Sequence, residues 1–184
     1  MGENDVHQKV RRVVTGQTSD GTSVLTHVEV VPSIRRANGL LWHGVWGWHE
    51  MPTLPFAKTD PFDPDSVFPA PGGLRINTVI FPARYGHEDP TESTQNTDAA
   101  YAKLAQSGGG RREGEGRGMH ITDSVDFGFV ASGEIVTIQG DGSEETLRPG
   151  DVYIQNGAMH AWRNDRDEPC MITFVVMGAA RKSA

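Results

Sequence analysis

GEGRGMHITDSVDFGFVASGEIVTIQGDGSEETLRPGDVYIQNGAMHAWRN, running from Gly114 to Asn164, is the stretch whose reading decides the fold. Short runs rich in Val, Ile, Phe and Thr alternate with turn clusters. Phe127 to Val130, Glu134 to Gln139, Glu145 to Leu147, Val152 to Gln155 and, further on, Met171 to Met177 read as strands. They are separated by Gly140-Asp141-Gly142, by Arg148-Pro149-Gly150 and by Asp165 to Pro169. Strands this short, at this spacing, predict an all-β antiparallel barrel or jelly roll. A parallel α/β sheet is excluded by the shortage of helical segments, because each parallel crossover needs one.

Within that stretch the chemistry-bearing residues fall in two groups. The first is Gly114, His120, Thr122, Asp126 and Gly133; the second is Gly150, Gln155, Gly157, His160 and Asn164. Residues two apart on a strand share a face, so His120, Thr122 and, if the pleat continues, Asp126 project to the barrel interior. Gly128 continues that inward row without a side chain and leaves room for a ligand. Trp162 stands two residues after His160 and shares its face.

This layout resembles the two sequence motifs of the cupin superfamily. Thr122 stands where that family usually has a second His, Asp126 where it has Glu, and Gln155 where it has Pro. The resemblance implies a double-stranded β-helix (cupin jelly roll) in which His160 reaches across the barrel to complete a set with His120 and Asp126. Two imidazoles and one carboxylate with open positions suit a mononuclear divalent metal, Fe(II) foremost, with Zn, Mn or Ni also compatible. Thr122, Gln155, Trp162 and Trp46 would then line the substrate pocket. The residues themselves leave a second reading open, in which His120 and His160 are hydrogen-bonded pocket histidines and Asp126 caps a turn. Without metal the same groups still form an acid–base set, since imidazole titrates near neutral pH and a carboxylate can fix its tautomer.

Two function classes follow. One is a small-molecule enzyme: an oxygenase, or a non-redox lyase, isomerase or decarboxylase, with a metal-free dehydratase or cyclase as its variant. The other is a non-catalytic ligand-binding cupin, because a fold does not fix a function. A binding module has no need of two histidines and an acid at one spot, which favours the enzyme.

The 184 residues suit one domain. A net charge of −7 argues against nucleic acid, whose phosphates need a basic face, and leaves a small polar or neutral molecule as the expected ligand. The single cysteine, Cys170, permits no disulfide within the chain and is read as a core residue. The start MGENDVHQKVRR lacks the apolar run of a signal peptide, and no apolar stretch reaches the roughly 18 residues of a membrane span. The expectation is a cytoplasmic protein with no membrane partner.

Along the chain, 1–10 reads as a flexible N-terminus. Residues 11–85 supply strands and a Pro-rich wrap, beginning with a hairpin from Arg11 to Val31 around Ser19-Asp20-Gly21. The alternation from Leu40 to Trp48 puts Trp42, Gly44, Trp46 and Trp48 on one face, the prolines between Met51 and Gly73 predict an extended loop, and Leu74 to Pro82 reads as a strand. Residues 86–118 form a polar, Gly-rich insertion. It holds a short helix from Thr97 to Gln106, where Asp98 can cap, followed by a flexible run over Ser107 to Gly116 that could gate the barrel. The cupin core is 119–178 and the tail 179–184. The resemblance also implies a homodimer through the N-terminal hairpin, which would cover an exposed sheet edge.

Overall fold

The computed structural model describes residues 9–36, 39–55, 67–87, 111–113 and 118–182. The helix expected over Thr97 to Gln106, most of the proposed gate and the first motif residue, Gly114, lie outside them. The described residues form thirteen strands: β1 (Arg11–Gln17), β2 (Ser23–Val30), β3 (Ile34–Arg35), β4 (Leu41–Trp48), β5 (Leu74–Phe81), β6 (Arg111–Glu113), β7 (His120–Thr122), β8 (Ser124–Ser132), β9 (Ile135–Gln139), β10 (Glu144–Leu147), β11 (Val152–Gln155), β12 (His160–Arg163) and β13 (Cys170–Gly178). Their pairings are antiparallel, in three sheets: β1-β2; β11-β8-β13-β5-β4-β3; and β10-β9-β12-β7-β6. None of the described residues forms a helix long and apolar enough to cross a membrane.

The hairpin β1-β2 forms where its sequence places it. Thr18 and Asp20 hydrogen-bond each other, and Asp20 Oδ1 accepts the Thr22 amide at 3.1 Å, closing the turn around Gly21. Its inner side is held to the body by Arg12, which is buried, donates to Val45 O at 2.7 Å and pairs with Glu29 at 2.7 Å.

One difference from the sequence reading lies in the insertion. Arg111–Glu113, expected within a flexible run, is a strand whose backbone pairs with β7 in the register Arg112↔Ile121 and Glu113↔His120.

The core sits between the two larger sheets, built from Val67, Val79, Phe81, Val130, Ile135, Leu147, Ile172, Phe174 and Val176. Cys170 belongs to it, fully buried, and burial pushes its thiol up to about 12. A motif glycine explains itself here. Gly133 has φ +71°, and a Cβ on it would lie 2.3 Å from Pro169 O, so only glycine lets this turn rest on the 165–169 loop. Asn164 ties the same loop down: its Nδ2 donates to Pro82 O at 2.9 Å and Glu168 O at 2.8 Å, and its Oδ1 accepts the Arg166 amide. Asn164 is therefore structural.

Candidate active site

The inner faces of the two sheets meet through an aromatic layer. Trp162, on β12, places its ring 5.0 Å from Tyr153 on β11, 5.8 Å from Phe174 on β13 and 5.7 Å from Phe81 on β5, all on the opposite sheet. One pleat repeat away from this layer, each strand presents a polar residue. His160 follows on β12, Gln155 on β11 and Asp126 on β8. These steps run toward the same end. Gly157, between Gln155 and His160, is so close to both strands that a Cβ there would lie 3.1 Å from Thr122 O and 3.2 Å from Ser124 O. Arg181 locks this end by donating to Thr122 O at 2.8 Å and Gly157 O at 2.9 Å. The barrel interior is thus an apolar aromatic layer below a polar chamber.

In that chamber His120 and His160 are direct cross-strand partners on β7 and β12, with ring centroids 4.3 Å apart and planes inclined by 49°. His160 is buried and His120 half-buried. Each ring is held by the same device. His120 Nδ1 bonds Gly118 O at 2.8 Å, and His160 Nδ1 bonds Ala158 O at 3.0 Å. A carbonyl only accepts, so Nδ1 carries the proton and Nε2 is the lone-pair nitrogen in both neutral rings. Trp162 meets the His160 ring edge-on at 5.8 Å.

Asp126 stands on the other sheet. Desolvation raises its carboxyl from 3.8 to about 6, against the opposing pull of a hydrogen bond from the Ser124 side chain. Ser124 also hydrogen-bonds Thr122 Oγ1 at 3.0 Å, so Thr122, Ser124 and Asp126 form a chain of polar groups across the β7–β8 junction. Gln155 is the direct cross-strand partner of Asp126. Both are buried, and Asp126 Oδ1 and Gln155 Nε2 each lack a hydrogen-bond partner among the described residues.

The two imidazoles have the orientation of metal-ligating rings, with the second nitrogen fixed by a backbone carbonyl. Among the described residues no group of three or more His, Cys, Asp or Glu side chains is gathered so that it could hold a metal ion. His120, Asp126 and His160 lie toward the same end of the barrel, the two histidines on one sheet and Asp126 on the other.

Two further expectations are corrected. Gly128 leaves no room for a ligand: a Cβ there would lie 2.9 Å from Phe174 Cε1, so the space is filled by that ring. Trp46 does not join the interior. A register shift between Gly44 and Trp46 sets Trp46 opposite Ile76, under the hairpin, with the Arg12 guanidinium 5.9 Å from its ring. Trp42 keeps the inner face, donating from Nε1 to Asn77 Oδ1 at 3.2 Å. His43, His49 and His87 make contacts elsewhere: His43 bonds Val31 O, His49 lies against Arg75, and His87 pairs with Asp165.

The sequence reading missed Ser124 and a cluster in which Thr137 Oγ1 bonds Tyr153 Oη at 3.3 Å and Gln139 Nε2 donates to Thr137 Oγ1 at 2.9 Å. Ser124 was findable, midway at two-residue spacing between Thr122 and Asp126. The other cluster depends on cross-sheet packing and left no local signal.

Comparison with known proteins agrees with this architecture. Residues 112–176 match the family described as Cupin domain. A cupin-domain-containing oxidoreductase of Neurospora crassa is 36% identical over 133 residues, covering 66% of this chain and 65% of that protein. A phomopsin biosynthesis cluster protein of Diaporthe leptostromiformis is 46% identical over 46 residues, 25% of this chain and 24% of that one. A cupin-domain-containing oxidoreductase of Aspergillus ruber is 26% identical over 100 residues, 48% of each. The chain thus spans just under two thirds of the first relative and less of the others. With its glycine turns, its facing histidines and its antiparallel two-sheet barrel, the chain carries a domain of the cupin superfamily over residues 112–176, with Thr122 and Asp126 at positions where the family's motif has His and Glu.

Proposed function

We propose that this protein is a cupin-type enzyme that acts on a small organic molecule bound in the polar chamber, by proton transfer at His120 and His160. The observation that carries the proposal is the imidazole pair itself: two rings 4.3 Å apart, each with Nδ1 bonded to a carbonyl, which makes Nε2 the basic nitrogen. Nε2 of one ring takes a proton from the substrate. The second ring, once protonated, returns one to the leaving or rearranging group. Asp126, raised to about 6 at the same end, exchanges protons in the range where imidazole does and is the third participant. Trp162 and Tyr153 shape the floor, and Thr122 and Gln155 orient polar groups. Dehydration, cyclisation and isomerisation need only this set. A place in small-molecule biosynthesis is supported by the description of the Diaporthe relative.

A second reading, an oxidoreductase, is favoured by the descriptions of the Neurospora and Aspergillus relatives. The test separates them. Purified protein is stripped with chelator, then assayed bare and after reloading with Fe(II), Zn, Mn or Ni, against a panel of hydroxy-carbonyl and carbonyl compounds in deuterated solvent. The expected result is deuterium incorporation or turnover by the bare protein, reduced about a hundredfold or more in His120→Ala and His160→Ala. Stoichiometric metal that is lost in His160→Ala, with activity only in the loaded protein, would move the assignment to a metal centre.

A further inference from the structure

The unsatisfied pair on β8 and β11 carries an inference about what the chamber recognises, and it rests on the reading that this chamber is the binding site. Asp126 and Gln155 are 7% and 3% exposed and directly opposite each other across the strands, and neither Oδ1 of the one nor Nε2 of the other finds a partner among the described residues. Buried polar atoms are nearly always paired, because each orphan forgoes the hydrogen bonds that water gave it. Both side chains lie on the inner face. Gln155 follows Tyr153, whose ring packs on Trp162, and Asp126 precedes Gly128, which abuts Phe174. An acceptor and a donor are thus presented side by side to the barrel interior.

We propose that Asp126 and Gln155 together form a subsite for a carboxamide, either a primary amide or a lactam. A carboxylate oxygen accepts and an amide NH2 donates. Their complement is a group that offers an N–H and a C=O on adjacent atoms, which a carboxamide with N–H and C=O on the same side provides in one plane. A carboxylate ligand offers no donor and would place a second negative charge against Asp126. An ester or ketone offers the carbonyl alone and leaves Oδ1 unpaired. The neutral amide satisfies both atoms with no charge brought into the apolar surroundings. The aromatic layer of Trp162, Tyr153 and Phe174 lies one pleat repeat below and suits an apolar ring attached to that amide.

The test uses benzamide and 2-piperidone as amide probes, with methyl benzoate and δ-valerolactone as counterparts in which the N–H is replaced. Binding to the full chain is followed by calorimetry and by tryptophan fluorescence. Each amide is expected to bind at least about tenfold tighter than its ester. Asp126→Leu removes the acceptor for the ligand N–H and should abolish the preference by weakening amide binding while leaving ester binding nearly unchanged, and Gln155→Glu removes the donor to the carbonyl and should weaken amide and ester alike. Circular dichroism and thermal melting confirm that each variant is folded. Should one variant not fold, the other decides. His120→Ala and His160→Ala should retain the amide preference, so loss of catalysis and loss of recognition are told apart. Equal affinity for amide and ester in the wild type, no binding of either at millimolar concentration, an amide preference that survives in folded Asp126→Leu, or unchanged affinity for both in folded Gln155→Glu would each overturn the assignment.

Discussion

Asp126→Asn tests the electrostatics of the chamber without knowledge of any substrate. Asp126 is buried, and its carboxyl stands at about 6 in place of 3.8 because ionisation there forfeits hydration. A native pKa above the unfolded one means that the folded state holds the proton more tightly. The associated stability is therefore complete below the unfolded value and is lost as pH rises through about 6. A shift of roughly two units corresponds to about 3 kcal/mol at neutral pH and above. Asparagine keeps the shape and never ionises, so it escapes that loss. Urea unfolding of chelator-treated wild type and variant, followed by tryptophan fluorescence, should give nearly equal stabilities around pH 4. The difference should grow in favour of the variant by about 1.4 kcal/mol per pH unit up to about pH 6, and level off near 3 kcal/mol by about pH 8. Other carboxylates contribute equally to both proteins and cancel. A difference independent of pH, or a variant that loses ground as pH rises, would refute the view that Asp126 is an ionisable group held in apolar surroundings.

Other outcomes follow from the same geometry. Gly133→Ala places a methyl group 2.3 Å from Pro169 O at φ +71° and should cost about 2 to 4 kcal/mol in urea unfolding; a cost below about 0.5 kcal/mol would contradict it. Arg181→Ala removes the donors to Thr122 O and Gly157 O and should cost about 1 to 3 kcal/mol while speeding amide hydrogen exchange at the polar end of the barrel; unchanged exchange would show that the clasp is idle. The outer face of the hairpin carries Val13, Leu25, Val28 and Val30, all exposed, with Val13 directly opposite Val28. Self-association through this apolar row is the expected outcome, seen as a dimer mass in analytical ultracentrifugation that falls to monomer in Val28→Lys; a monomer mass for wild type at high concentration would exclude it.

Much of the architecture was legible because it depends on period-two alternation and on turn chemistry. The strands around Phe127, Ile135, Val152 and Met171 and the turns at Asp141 and Pro149 lie where those signals put them. The facing of His120 and His160 also follows from spacing once their strands pair. What was hidden comes from events set by a neighbouring strand. The register shift after Gly44 turns Trp46 to the opposite face, and alternation read along one strand cannot see an extra residue that only its partner reveals. Asp123 interrupts the pleat between β7 and β8, so Thr122 and Asp126, read as neighbours on one face, belong to different sheets. Gly128 was read as open space because a missing side chain says nothing of which ring fills it.

The division of the interior into an aromatic floor and a polar chamber bears on how such a protein can change its trade. The packed layer of Trp162, Phe174, Phe81, Ile135 and Ile172 is distinct from the polar set His120, Thr122, Asp126, Gln155 and His160 that lies beyond it. Positions 120, 122, 126, 155 and 160 can therefore be exchanged with little structural debt, and at Asp126 replacement by a neutral residue even strengthens the fold at neutral pH. The barrel is in this sense a socket with interchangeable fittings. A substitution in that polar set is expected to alter the chemistry on offer before it alters the packing that holds the barrel together.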